Sequence, residues 1–191
     1  MKRETDDRSV LDKFSKDFVS VVEKFSEYII VSGFVAISHG RTRGTEDIDI
    51  IIRRIPGEKF KKMHHSLSVA GFECIQSSDP NEIYEYMESN SSVRYIRKGL
   101  HIPEVELKFA RDALDEYQFK TKRKLPLSGL DLWFSSIEMN IAFKEELLKN
   151  PKDMDDAKHL RIIYSEKINE KEIEKIKGMI NKHRLAARGK L

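Results

Sequence analysis

The six residues Asp47-Ile48-Asp49-Ile50-Ile51-Ile52 constrain this chain more than any other stretch. Their four isoleucines specify a β-strand, because β-branched side chains pack well on a pleated surface and are stiff at χ1. Side chains alternate along a strand, so Ile48, Ile50 and Ile52 enter a core from one face while Asp47 and Asp49 project together from the other. Two carboxylates placed together repel, and a fold tolerates that where a divalent cation sits between them. Hard cations such as Mg²⁺ take oxygen ligands and favour carboxylates together with substrate phosphates.

The surroundings of that strand read as an α+β chain. Apolar residues at helical spacing from Val10 to Phe25 predict one amphipathic helix over the first 26 residues. Tyr28 to Val31 is a short buried strand, broken at Ser32-Gly33, and Phe34 to Ser38 suits a short helix with Gly40 at its C-terminal stop. Residues 39–46 form a loop. Pro56 opens a helix that runs to Ala70, Phe72 to Gln76 is a strand, and residues 79–89 are a short helix. Val93 to Arg97 and Val105 to Phe109 alternate apolar with polar, the half-buried strand pattern. Leu125 to Phe134 holds two short strands around Ser128-Gly129. Everything after Ser135 reads as helix: Ile137 to Leu148, Lys152 to Tyr164 and Glu170 to Arg184. The expected organisation is a core over residues 1–135 with its N-terminal helix, then a helical C-terminal region over 136–191.

Composition bounds the rest. A chain of 191 residues with 39% hydrophobic side chains has material for one sizeable core, and its 35% charged residues give a polar surface. Cys74 is the single cysteine, so an intrachain disulfide is excluded and a reducing compartment is expected. The segment Met1 to Arg8 is charged and lacks an apolar signal stretch, and no apolar run approaches the roughly 20 residues of a membrane span. These features predict a cytoplasmic protein with no membrane partner. A net charge of +3 is too small to argue for nucleic acid by itself. The basic tail from Lys175 to Leu191 suits either a phosphate backbone or a solvated helix whose cations gather near its C-terminus.

Gly33 lies fourteen residues before Asp47, at the junction of a strand and a helix. A small-residue turn there leaves backbone N–H groups free for an anion, and Ser32 adds a hydroxyl. A phosphate site and a metal site joined by one short helix describe phosphoryl-transfer machinery.

The stretch Val31-Ser-Gly-Phe-Val-Ala-Ile-Ser-His-Gly-Arg-Thr-Arg-Gly-Thr-Glu-Asp-Ile-Asp resembles the signature of the DNA polymerase beta-like nucleotidyltransferase superfamily, and within it the small AbiEii-like branch. That branch runs from a Gly-Gly or Gly-Ser turn through Arg-x-Thr to Asp-x-Asp. Downstream, Lys152-Asp153-Met154-Asp155-Asp156 resembles its Lys-Asp-x-x-Asp helix. The two motifs span residues 28 to 164. The resemblance implies a mixed sheet flanked by helices, on which three carboxylates hold Mg²⁺ or Mn²⁺. It also implies an NTP substrate whose nucleoside monophosphate passes to an acceptor hydroxyl with release of pyrophosphate.

Asp47 and Asp49 are then the first two catalytic and metal-binding acids, and a third is expected on a later strand. In Pro103-Glu-Val-Glu-Leu-Lys-Phe the core face takes Val105, Leu107 and Phe109, so Glu104, Glu106 and Lys108 share the other. Glu106, centred in the strand, is the expected third ligand and Glu104 the alternative. Ser32, Gly33, Arg43, Thr45, Lys144 and Lys152 are the expected nucleotide-binding residues. The chain departs from the branch twice: Ser32 replaces the usual first glycine of the turn, and the third acid is Glu rather than Asp.

The expected function is Mg²⁺-dependent nucleotidyl transfer to an RNA, such as tRNA, or to a protein, in a toxin or defence setting. The alternatives are a non-catalytic protein that kept the fold, and a small-molecule nucleotidyltransferase of the antibiotic-modifying kind. The remaining candidates have plainer readings. The six histidines show no zinc spacing, and Asp155 and His159 suit an exposed i,i+4 ion pair. Asp156 reads as an acid favoured by a helix N-terminus, Cys74 as a small buried residue, and Trp133 as core.

Overall fold

The computed structural model describes residues 2–41 and 47–188, so Arg43 and Thr45 lie outside the described residues. Seven strands form one mixed sheet in the order β3-β4-β5-β2-β1-β7-β6. They are β1 (Tyr28–Val31), β2 (Asp47–Ile52), β3 (Phe72–Cys74), β4 (Val93–Arg97), β5 (Glu104–Phe109), β6 (Arg123–Lys124) and β7 (Trp133–Phe134). The helices are α1 (Lys2–Val22), α2 (Gly33–Ser38), α3 (Gly57–Val69), α4 (Pro80–Glu88), α5 (Ala113–Thr121), α6 (Ile137–Ala142), α7 (Pro151–Ile163) and α8 (Glu170–Arg188). The class is α+β, as the pattern of elements predicts.

The isoleucine strand is central. β2 pairs antiparallel with β1 and parallel with β5, so its backbone groups are satisfied on both sides. Ile48, Ile50 and Ile52 are fully buried in the main core with Tyr28, Ile30, Val105, Leu107 and Phe109. That core continues through Ile141, Leu160, Ile173 and Ile180, so the helices after Ser135 share it with the sheet. The opposite face is divided. Near the C-terminal end of β2, Ile29 and Ile51 are sealed by Phe119 of α5 in a second, smaller cluster. Toward its N-terminal end that face carries charge.

Three elements depart from the sequence pattern. The first strand expected between Leu125 and Phe134 lies earlier, at Arg123–Lys124, and Pro126–Ser128 forms a 3₁₀ turn. Proline at residue 126 donates no ladder hydrogen bond, which favours the turn. The helix expected over Ile137 to Leu148 changes its hydrogen-bond spacing at Phe143, where six residues become π-helical up to Leu148. α5 carries no apolar periodicity because two of its four buried residues are Asp115 and Gln118; Asp112 caps its first turn through Leu114 and Asp115 N–H groups.

Candidate active site

The parallel register of β2 and β5 sets Asp47 beside Glu104 and Asp49 beside Glu106. Both aspartates and both glutamates therefore stand on one face, as their alternation predicts. β4 runs antiparallel to β5 and brings Arg94 opposite Glu106. Its guanidinium reaches both glutamates: Nε lies 3.2 Å from Glu104 Oε1 and Nη2 lies 3.7 Å from Glu106 Oε2. Among the described residues, no three His, Cys, Asp or Glu side chains are gathered at metal-ligating spacing.

The crowding of acids has an electrostatic consequence. Burial, followed by the Glu106 charge, holds the Asp49 carboxyl above its ordinary range; the Ser32 hydroxyl pulls it down and Asp47 pushes it up. Burial also raises Glu104, with Arg94 opposing and Asp47 reinforcing that rise. The donor set is all carboxylate oxygen, which fits a hard divalent cation. Convergence of Asp47, Asp49 and Glu106 on one ion would draw Glu106 away from Arg94.

A cavity of about 260 Å³ opens beside Asp49 and Glu106, between the sheet and the elements α5, α6 and the π-helical stretch. Its polar wall is a chain of hydrogen bonds. Asn140 donates to the backbone carbonyls of Ser135 and Ser136, Ser135 donates to Gln118 at 2.9 Å, and Gln118 donates to Asp115 at 3.2 Å. Met139, Phe143, Leu147 and Leu148 make the apolar wall. Lys108 enters from β5 and, through its charge, lowers both Asp49 and Asp115 against their burial.

The turn before α2 explains the role of Ser32. Its φ of 65° and ψ of −136° place it in left-handed space that favours glycine. The residue keeps that conformation while its hydroxyl bonds Asp49. We expect Ser32→Gly to be more stable than Ser32→Ala by roughly 1 kcal/mol, since both lose the hydroxyl but only glycine relieves the backbone. Chemical denaturation checks this; an alanine variant of equal stability would show that the turn relaxes.

The predicted nucleotide-binding residues are dispersed. Ser32 lines the cavity with Asp49 and Glu106, and Gly33 begins the six-residue α2 behind it. Lys144 also lines the cavity, yet its ammonium lies 2.9 Å from Asp153 and 2.9 Å from Asp156. Lys152 is exposed on α7 and outside the cavity lining. The sequence reading left Arg94 unassigned and gave Lys108 a face but no role. Strand alternation carried the signal for Arg94: with Val93 and Tyr95 in the core, the residue between them must share the face of the acids.

Several plainer expectations are corrected. Asp156 is fully buried and joins Lys144 to Arg41, whose Nε lies 3.5 Å from its carboxylate. Asp155 pairs with Arg41 at 3.2 Å rather than with His159, whose Nε2 lies 3.1 Å from the His39 carbonyl. The His39 ring spans from the Val35 carbonyl (2.6 Å), to which Nδ1–H donates, to the Tyr164 hydroxyl (2.7 Å from Nε2). Together these bonds fix α7 to the end of α2. Cys74 is half-buried at the sheet edge, and Trp133 is half-buried with the Lys122 and Lys124 ammonium groups at 5.0 and 4.9 Å from its ring.

No family model and no curated protein matches this chain. Solved structures do. The solution structure of the antibiotic-resistance factor ANT(2'')-Ia aligns at a TM-score of 0.58 and 12% identity, covering 95% of this chain and 96% of that one. The crystal structure of ANT(2'')-Ia with adenylyl-2''-tobramycin aligns at 0.56 and 13%, covering 92% and 99%. An antigenic nucleotidyltransferase-like protein from Paracoccidioides brasiliensis aligns at 0.50 and 16%, covering 95% and 90%. At these identities the likeness is one of architecture, and it extends over the sheet and the C-terminal helices alike: the chain has a nucleotidyltransferase-like fold.

Proposed function

We propose that the chain is a divalent-metal-dependent nucleotidyltransferase that moves a nucleoside monophosphate from an NTP to an acceptor hydroxyl. The observation that carries this reading is the face of β2 and β5, where Asp49 and Glu106 stand side by side in the lining of a cavity and Asp47 shares their face. Asp47, Asp49 and Glu106 would hold Mg²⁺ or Mn²⁺, with Glu106 favoured over Glu104 because it shares the cavity with Asp49. Glu104 lies nearer Arg94. When bound, such an ion neutralises triphosphate charge and acidifies an oxygen that it holds. The acceptor oxygen attacks the α-phosphorus, the bond to the β-phosphate breaks, and pyrophosphate leaves.

The chain's own groups set the rest. Met139 and Phe143 give the cavity an apolar wall, while Gln118, Ser135 and Asn140 offer fixed polar partners to a bound nucleoside. The ammonium of Lys108 would add positive charge to meet a triphosphate bound in this cavity. The motifs at Ser32 to Asp49 and Lys152 to Asp156 support the AbiEii-like branch, and Arg43 and Thr45 complete its Arg-x-Thr.

The cavity also bears on the acceptor. About 260 Å³ is below the ~300–1,000 Å³ of drug-sized sites, so it suits the nucleoside alone. The acceptor then lies outside the cavity, which suits a hydroxyl on a macromolecule such as RNA or protein. A second reading, transfer to a small molecule, draws on the architecture shared with ANT(2'')-Ia, which was crystallised with adenylyl-2''-tobramycin.

The deciding experiment incubates the protein with each labelled NTP, Mg²⁺ or Mn²⁺, and in parallel total RNA, total protein and aminoglycosides. Label on RNA or protein that disappears with a chelator supports the first reading, and label on an aminoglycoside alone replaces it with the second. No metal-dependent product in any arm overturns both.

A further inference from the structure

The metal reading leaves one charge without a part to play. Among the described residues, Arg94 forms an ion pair with the third acid, and it comes from a strand outside the pair that carries the acids. Four carboxylates crowd the face of β2 and β5, and a chain that gathered them with no compensating charge would strain its own sheet. The guanidinium is forked, which lets it meet two carboxylates at once from one position. It does so here, with Glu104 at 3.2 Å and Glu106 at 3.7 Å.

The backbone of Arg94 is fixed in place. Its N–H donates to Gln76 Oε1 at 2.8 Å and its carbonyl accepts from the Ile75 N–H at 2.8 Å. Its side chain is about half exposed, at 48%, so the guanidinium can leave the glutamates without opening the core. Glu106, at 31% exposed, shares part of that freedom, and Glu104, at 14%, is held more closely. Lean toward Arg94 and convergence on an ion are therefore two alternative arrangements of the same side chains.

We propose that Arg94 is a resident counter-cation of the acid cluster, one that holds Glu104 and Glu106 when no divalent ion is bound and must release Glu106 before one binds. This rests on the reading of Asp47, Asp49 and Glu106 as metal ligands. Arg94 is thus a positioning residue: it sets how tightly the site takes a metal and steadies the four acids in the metal-free protein. A unit charge beside a carboxylate competes directly with an incoming cation, although solvent screening keeps the effect moderate at a half-exposed site.

Mn²⁺ binding without nucleotide, followed by the loss of the free-ion signal in electron paramagnetic resonance, tests this in the full chain. Wild type, Arg94→Gln, Arg94→Lys and Asp49→Asn are compared, with melting temperatures recorded in chelator and in Mn²⁺. Arg94→Gln is expected to bind Mn²⁺ about tenfold more tightly than wild type. It should also melt lower than wild type in chelator and gain more from Mn²⁺. Arg94→Lys keeps the charge and should stay near wild type. Equal or weaker binding by Arg94→Gln, with wild-type binding abolished by Asp49→Asn, leaves the metal site standing and overturns the role of Arg94 alone. Mn²⁺ uptake by neither wild type nor Arg94→Gln overturns the metal reading and this proposal with it.

Discussion

Asp49→Asn is expected to abolish nucleotidyl transfer and leave the protein at least as heat-stable as the wild type. The loss of activity follows from the position of Asp49, which faces both the cavity and Glu106. Metal-borne charge stabilisation is worth several kcal/mol, so removal of a central ligand lowers the rate on the order of 10³-fold or more. The stability follows from the sign of the pKa shift. Burial and the charges of Glu106 and Asp47 hold the Asp49 carboxyl above its unfolded value, against the Ser32 hydroxyl and Lys108. Between the unfolded and folded values the native state binds the extra proton, so Asp49 makes folding less favourable as pH rises through that window.

Above the folded value that cost is complete, and below the unfolded value it is absent. The asparagine variant should therefore match or exceed the wild-type melting temperature at neutral pH, and its advantage should vanish once the medium is acidified below about pH 4. Activity and calorimetric melting measured on the same samples decide the matter. A variant that keeps its activity would move the metal site elsewhere; one that loses activity by unfolding would leave the acid's role unproved and its stability argument refuted.

The residues that made this site readable share one property: their chemistry and their spacing point the same way. The alternation in β2 and β5 fixes which side of the sheet is apolar, so the faces of Asp47, Asp49, Glu104 and Glu106 follow from burial of the isoleucines and of Val105, Leu107 and Phe109. What could not be read depends on contacts between distant segments. Register between β2 and β5 sets which acid stands beside which, and more than fifty residues separate the strands. α5 was hidden because its inward face mixes Leu114 and Phe119 with Asp115 and Gln118, whose partners are Arg111 and Ser135. The same holds for Asp156. A carboxylate near a helix N-terminus is an ordinary surface feature until a lysine from another helix and an arginine from a loop close around it.

That closure makes Lys144 the position with the largest expected effect on stability. Its side chain is 1% exposed, and its ammonium lies 2.9 Å from both Asp153 and the fully buried Asp156. Asp153 is held in turn by Asn150, the cap of α7, whose Oδ1 accepts from the Asp153 N–H at 2.9 Å. Lys144→Met preserves most of the volume and removes the charge, which strands buried carboxylates beside an apolar chain. Breaking a buried pair from one side costs about 3–5 kcal/mol, a large share of the stability of a single domain. Replacing both partners is milder, because the fully buried carboxylate goes with the lysine and Arg41 keeps Asp155. Lys144→Met combined with Asp156→Leu is therefore expected to recover much of the loss, with Asp153 left to Asn150 and solvent. Urea denaturation of the two single variants and the double one gives the coupling. Additive losses would show that Lys144 and Asp156 act independently, and a stable Lys144→Met protein that no longer binds NTP would return the lysine to the nucleotide-binding role expected of it.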